Sequence, residues 1–283
     1  HQAVEAKEGL PVSAPSETLA RISFQRFFRF YHQLSGMTGT AMEAAGELWQ
    51  VYRLPVVTIP THRPCLRQYR PDNIYPTEAE KWRQVAARIV DCHRQDLPVL
   101  VGTRHVQSSQ KLAACLEQQG IPFNLLNAIH HREEARIVAE AGKAGRVTIA
   151  TNMAGRGTDI LLGEQVAARG GLRVIATERH ESPRIDRQLF GRCARQGDPG
   201  EVEVFVSLED ELAVRHLPLA VRKVLAKGLR NGGTRANRSA LSAIRFAQLR
   251  AGRQAYAQRR QVLRTDVWID KALSFSGPCN LEL

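Results

Sequence analysis

Two arginines three positions apart, Arg192 and Arg195, lie in the stretch QLFGRCARQG at residues 188–197, which continues a helix-like run around Ile185. Three positions is close to one helical turn, so both guanidinium groups share a face and can converge on one anion. A guanidinium stays charged and offers a planar fork of donors, which suits the negative charge that spreads over a γ-phosphoryl group in transfer. The alternative is plain surface ion pairing with Glu178, Glu181 or Asp186. A second stretch, VTIATNMAGRGTDI at 147–160, reads as a strand entering a loop where Gly155 and Gly157 flank Arg156, with Asp159 close behind. Paired glycines allow a tight turn and a close approach of backbone N–H groups to a ligand, and Asp159 can accept hydrogen bonds.

Other residues carry weaker signals. The segment 202–211 imitates a strand ending in acids (Glu209, Asp210, Glu211), but no phosphate loop GxxxxGK[ST] occurs in the sequence: Gly142-Lys143 and Lys227-Gly228 lack its spacing. Those acids are expected to cap the following helix, whose N-terminus favours negative charge. His130 and His131 have no third ligand at useful spacing and read as an ordinary loop or helix start. His180 reads as a hydrogen-bonding residue beside the site. Cys193, flanked by Arg192 and close to Arg195, is either a thiol of lowered pKa or, on the plainer expectation, a packed and unreactive one.

These residues need a scaffold. Short apolar runs at 56–59, 99–101, 123–126, 147–150, 172–176 and 202–206 alternate with helix-like stretches at 77–91, 108–119, 133–141 and 184–193. Strands separated by helices of about 10 to 15 residues imply crossover units and a parallel sheet, so the fold class is α/β. Such sheets bind ligands at the carboxyl ends of their strands, where both candidate loops fall. Ahead of this, residues 18–34 carry aromatic and apolar side chains at helical spacing, broken by Gly36 and Gly39. Past Leu212 the strand signal stops, and 217–229 and 236–269 read as helices separated by Asn231-Gly232-Gly233.

With 43% hydrophobic and 24% charged residues, the 283-residue chain can bury a true core, which excludes disorder and collagen. No apolar run reaches the roughly 18 residues of a membrane-spanning helix, so the chain reads as soluble. Five scattered cysteines without a CxxC suggest neither a disulfide framework nor a zinc site, and fit a reducing cytosol. The net charge of +12 is uneven: residues 213–283 hold 14 basic and 3 acidic residues, a net of +11, leaving +1 for the rest. Such a tail suits phosphates of lipid headgroups or nucleic acid, or is simply a solvated helical surface. The opening HQAVEAKE reads as an interior helix, and a fragment of a longer protein is expected.

The words SGMTGTA at 35–41, PVLVGT at 98–103, VTIATNMAGRGTDI at 147–160, TERHESPRID at 177–186, QLFGRCARQGDPG at 188–200 and SLEDEL at 207–212 closely resemble the SecA family, motor ATPases of bacterial protein secretion. The resemblance runs from residue 1 to about 212 and more loosely to about 268. It implies a helicase-like motor of two RecA-like domains that clamp ATP and Mg²⁺ between them. Residues 1–61 then close the first motor domain, 62–212 form the second RecA-like domain, and 213–283 are a basic helical segment resembling a truncated scaffold. By position, Arg192 and Arg195 match the arginine fingers and Gln188 the glutamine opening that motif. Gly155, Arg156, Gly157 and Asp159 match the nucleotide-sensing loop, and Thr38, Gly39 and Thr40 the coupling motif.

The implied partners are a SecY-type channel, preproteins, anionic lipid and a second copy in a homodimer, with the protein cytoplasmic and peripheral to the inner membrane. Most Mg²⁺ ligands would lie on the first domain, and without a phosphate loop this chain alone should not hydrolyse ATP. Departures from the family pattern are Phe190 in place of its usual Arg, Cys193-Ala194 in place of Ser-Gly, Ile129 in place of Lys, and a degraded acidic pair at Asp266-Val267. No counterpart of the family's wing, two-helix finger or zinc tail is present in the sequence. Two alternatives are a nucleic-acid helicase of the same superfamily, its basic tail tracking phosphates, and a non-catalytic adaptor that keeps the fold.

Overall fold

The computed structural model describes residues 2–11, 22–126, 134–151 and 158–273. In chain order the helices and strands are α1 (Gln2–Lys7), α2 (Phe24–Phe28), α3 (Ala45–Tyr52), β1 (Leu66–Tyr69), β2 (Asn73–Tyr75), α4 (Glu78–Arg94), β3 (Val99–Thr103), α5 (Val106–Gln118), β4 (Asn124–Leu126), α6 (Glu134–Glu140), β5 (Val147–Thr151), β6 (Leu172–Ala176), α7 (Pro183–Phe190), β7 (Pro199–Ser207), α8 (Glu211–His216), α9 (Leu219–Arg230) and α10 (Thr234–Leu273). The chain divides into two compact units. One takes residues 1–36, 46–55 and 257–283; the other takes 37–45 and 56–256 and contains the sheet.

The sheet has seven strands in the order β1-β7-β6-β3-β5-β4, with β2 pairing the far half of β7, and every pairing is parallel. This is the helix-flanked parallel sheet of the α/β class expected from the sequence, with a helical C-terminal region. Period-two alternation sorts each strand into two cores. Val99, Val101, Val147, Ile149 and Ile175 face α4 and α5, packing on Val85, Ile89, Leu112 and Leu116. Leu100, Ala150, Val174, Ala176, Val202 and Val204 face the other layer, where Leu189 and Phe190 of α7 and Ile244, Ala247 and Ala251 of α10 cover them.

Local signals explain the helices. Thr77 caps α4 by accepting from the Glu80 amide at 3.3 Å, with Glu78 and Glu80 in its first turn and His93 and Arg94 in its last. Pro183 opens α7, where its missing N–H costs nothing.

Three expectations fail or hold only in part. Residues 56–59 form no strand: Val57 and Ile59 are exposed and no described strand pairs with them, so β-propensity had no ladder to join. Within 18–34, of which 18–21 lie outside the described residues, the helix is only Phe24–Phe28; Phe24 is exposed, and Phe27 meets Phe28 and Tyr31 edge-on at 5.5 and 5.8 Å. The acids after β7 serve α8 only in part: Glu211 lies in its first turn, where negative charge is favoured, but the other two turn elsewhere. Asp210 occupies the cap position without a side-chain cap bond, and instead accepts from Lys81 Nζ at 2.6 Å, the Ser207 amide at 2.8 Å and Ser207 Oγ at 2.6 Å. Glu209 reaches the start of α4, accepting from the Glu78 amide at 2.8 Å. A buried lysine outcompetes a local cap because it would otherwise be an unpaired buried charge.

Candidate functional site

The parallel register aligns the ends of β3 and β5, with Thr103 opposite Thr151, and sets Gly102 beside Ala176 of β6. Beyond β6 the chain reaches α7 through residues 177–182, and a buried network fixes that passage. Asp186 accepts from the His180 amide at 2.9 Å, pairs with His180 Nδ1 at 2.6 Å and accepts from Arg179 Nη1 at 3.3 Å. Arg179 Nη2 also donates to Asp72 at 2.6 Å. From α10, Gln248 Nε2 donates to the His180 carbonyl and to Asp186 Oδ2, both at 2.8 Å. Helix α7 is thereby tied to the sheet and to α10 at once. His180 holds the hydrogen-bonding position anticipated for it. Phe190 is buried, with the Arg179 guanidinium 5.6 Å above its ring and Tyr69 edge-on at 6.0 Å.

Past α7 the backbone turns sharply: Ala194 and Gln196 have φ of 54° and 56°, and Gly197 has 85°. Left-handed backbone is costly for non-glycine residues and persists where surrounding contacts hold it. The turn aims both arginines at the loop that leaves β5. Arg195 Nη1 donates to Asp159 Oδ1 at 2.7 Å while its Nε donates to the Gly191 carbonyl at 2.8 Å. Arg192 Nη1 donates to the Thr158 carbonyl at 3.2 Å. Gln196 Nε2 reaches Asp159 Oδ2 at 3.3 Å. Gly155, Arg156 and Gly157 lie outside the described residues, as do Ile129, His130 and His131.

These groups line a cavity of about 1430 Å³. Gln188, Thr38, Gly39 and Thr40 are also on its wall, and the Thr40 amide donates to Thr38 Oγ1 at 3.3 Å. The described lining carries five arginines, Arg63, Arg67, Arg187, Arg192 and Arg195, against one carboxylate, Asp159. An excess of fixed positive charge in a concave site favours an anion. The structure thus brings the arginine pair, Asp159, Gln188 and residues 38–40 to one cavity. Arg63 and Arg67 were not singled out from the sequence. Their signal was the spacing of four in HRPCLR at 62–67, since residues i and i+4 share a face of extended chain. Cys193 is not an activated thiol: burial pushes it above its ordinary value, outweighing Arg67 nearby. Among the described residues no group of three or more His, Cys, Asp or Glu is placed to hold a metal ion.

Comparison with known proteins gives consistent matches. A model described as the SecA P-loop domain matches residues 64–169 and 163–231, and one described as the SecA DEAD-like domain matches 1–49. A protein translocase subunit SecA 2 of Magnetococcus marinus is 49% identical over 97% of this chain and 42% of its own length. A protein translocase subunit SecA of Oleidesulfovibrio alaskensis is 49% identical over 94% of this chain and 31% of its own. Among solved structures, the E. coli DEAD-box protein SrmB aligns with 54% of the chain and 84% of its own, at 20% identity and a TM-score of 0.43. The chain spans less than half the length of these curated relatives.

Proposed function

The chain belongs to the SecA family, and from that premise we propose that it supplies the arginine-finger half of the ATP site in a motor that couples ATP hydrolysis to preprotein translocation. The observation that carries this is the convergence of Arg192 and Arg195 on the Thr158–Asp159 loop at the strand ends, in a cavity whose described lining carries one carboxylate. Residues 62–212 act as the second RecA-like motor domain and residues 1–61 close the first. Residues 213–283 serve as a helical scaffold. ATP and Mg²⁺ are the ligands of the complete site, with the Mg²⁺ ligands assigned mostly to the first domain, and this chain alone is inactive.

In that site the γ-phosphoryl group loses its bond to the β–γ bridging oxygen as water adds, and negative charge spreads over its peripheral oxygens. Arg195 is pre-aimed by its bonds to Gly191 and Asp159, and trades Asp159 for those oxygens. Arg192, held by the Thr158 carbonyl, adds a second charge on the same face. Gln188 and the loop containing Gly155, Arg156 and Gly157 sense the nucleotide. Thr38, Gly39 and Thr40, on the same cavity wall, relay its hydrolysis. Partners are a SecY-type channel, preproteins and anionic lipid, with a homodimer as the assembly and a cytoplasmic, membrane-peripheral location. The tail supports the lipid: no acid occurs from residue 213 to 265, and each basic residue near an anionic surface contributes about 1 kcal/mol. No described helix is long and apolar enough to cross a membrane.

The test is Arg195→Ala in the intact motor, which should leave nucleotide binding in place and lower hydrolysis by roughly 10³-fold. Unchanged turnover would remove the role. The same acid-free tail favours, as a second reading, a helicase whose substrate is nucleic acid. Stimulation of ATPase activity by channel-containing vesicles with preprotein supports the motor; stimulation by single-stranded RNA or DNA supports the helicase.

A further inference from the structure

The loop that carries Arg195 is gripped by β1 and the segment that enters it. Arg67 Nη2 donates to the Cys193 carbonyl at 2.8 Å, and Arg63 Nη1 donates to the Gln196 carbonyl at 3.2 Å. The two contacts bracket Arg195. They hold the stretch where Ala194 and Gln196 sit in left-handed backbone, a conformation that the chain would leave if released. Gly197 is part of the fit: its φ of 85° suits glycine, and the Arg63 stem passes so close that a methyl group there would lie 3.0 Å from Arg63 Cδ. Neither arginine pairs with a carboxylate among the described residues. Each donates to a main-chain oxygen, a charge-assisted bond that fixes backbone position, and Arg67 Nη1 also donates to the Tyr69 hydroxyl at 3.4 Å.

We infer that Arg63 and Arg67 are positioning residues that clamp the loop 193–197 and so set the aim of Arg195. This rests on the arginine-finger reading for its consequence in turnover, but not for the clamp itself. Arg195 has its own local bonds to Gly191 and Asp159, and these fix the side chain only relative to a loop that is itself held. A small displacement of that loop moves the guanidinium off the reacting group, and misplacement of about 1 Å can cost about 10²-fold in rate.

The experiment compares Arg63→Ala, Arg67→Gln and Arg67→Lys with the unmodified protein. Amide hydrogen exchange at residues 194–197 is expected to rise about tenfold in Arg67→Gln, as for loss of one charge-assisted bond, and about threefold in Arg63→Ala, whose bond is exposed to solvent. In the intact motor these two variants should lower kcat more than they raise KM for ATP, about tenfold for Arg67→Gln, the mark of an interaction realised mainly in the transition state. Arg67→Lys keeps the charge without the fork and should restore kcat only in part. Unchanged exchange at 194–197 overturns the clamp, as does full recovery in Arg67→Lys, which would leave only a charge effect. Should Arg67→Gln not fold, Arg63→Ala decides alone, because Arg63 is exposed. If Arg195→Ala leaves turnover intact, the arginine-finger reading falls while the exchange measurement still judges the clamp.

Discussion

Arg195 Nη1 lies 2.7 Å from Asp159 Oδ1, joining the turn after α7 to the loop after β5, with both side chains about one-third exposed. An ion pair that exposed contributes little stability, of order 0.2–1 kcal/mol. Its value is directional: the carboxylate holds a long, flexible side chain at the mouth of the cavity. Asp159→Asn is therefore expected to leave thermal stability nearly unchanged while lowering hydrolysis in the intact motor by about tenfold or more. A variant with lost stability and normal turnover would make the pair structural.

Helix α7 lies close on the sheet because Gly102 in β3 has no side chain. A methyl group added there would overlap Leu189 Cδ2, so Gly102→Ala should lift α7 and cost about 1–3 kcal/mol, the usual range for overpacking. Shortening the partner in Gly102→Ala/Leu189→Val should recover much of this. Chemical denaturation of both variants checks it, and additive losses would mean that the two positions do not meet.

Lys81 is buried and pairs with Asp210 at 2.6 Å, their side chains 2% and 5% exposed. Removing one partner strands the other charge, so Lys81→Met should cost about 3–5 kcal/mol. Lys81→Met/Asp210→Asn should regain part of that loss, since a neutral amide keeps acceptor capacity toward Ser207 without a bare charge. Equal losses in the single and double variants would contradict the coupling.

Burial holds the Glu178 carboxyl above its ordinary value of 4.5, and Lys81, His105 and Arg104 offset only part of that. The folded state binds this proton more tightly than the unfolded chain. Its contribution to stability is thus full below 4.5 and is lost as pH rises through the raised folded value. Glu178→Gln is expected to raise Tm at neutral pH, with the gain fading toward pH 4.5. A Tm difference independent of pH would contradict the assignment.

Most of the sheet was legible because its strands are short apolar runs between helices, and β6 lies at residues 172–176, where periodicity put it. The strands β1 and β2 were not, for LRQY and NIY are too short and polar to signal and become strands only by pairing with the two halves of β7. Residues 56–59 show the converse, strong β-propensity with nothing to pair.

For the site, residue type and spacing along the chain sufficed to nominate Arg192, Arg195 and Asp159, since the chemistry of anion binding is written in side-chain identity and helical period. The sequence likewise determined the α/β class. Only the tertiary structure decided that Arg195 meets Asp159, that Arg63 and Arg67 grip the loop between them, and that Asp210 serves Lys81 and Glu209 serves α4 while Glu211 stays with α8. Those contacts join residues more than 30 positions apart, and which distant partner wins depends on burial and on competing charges that no local window contains.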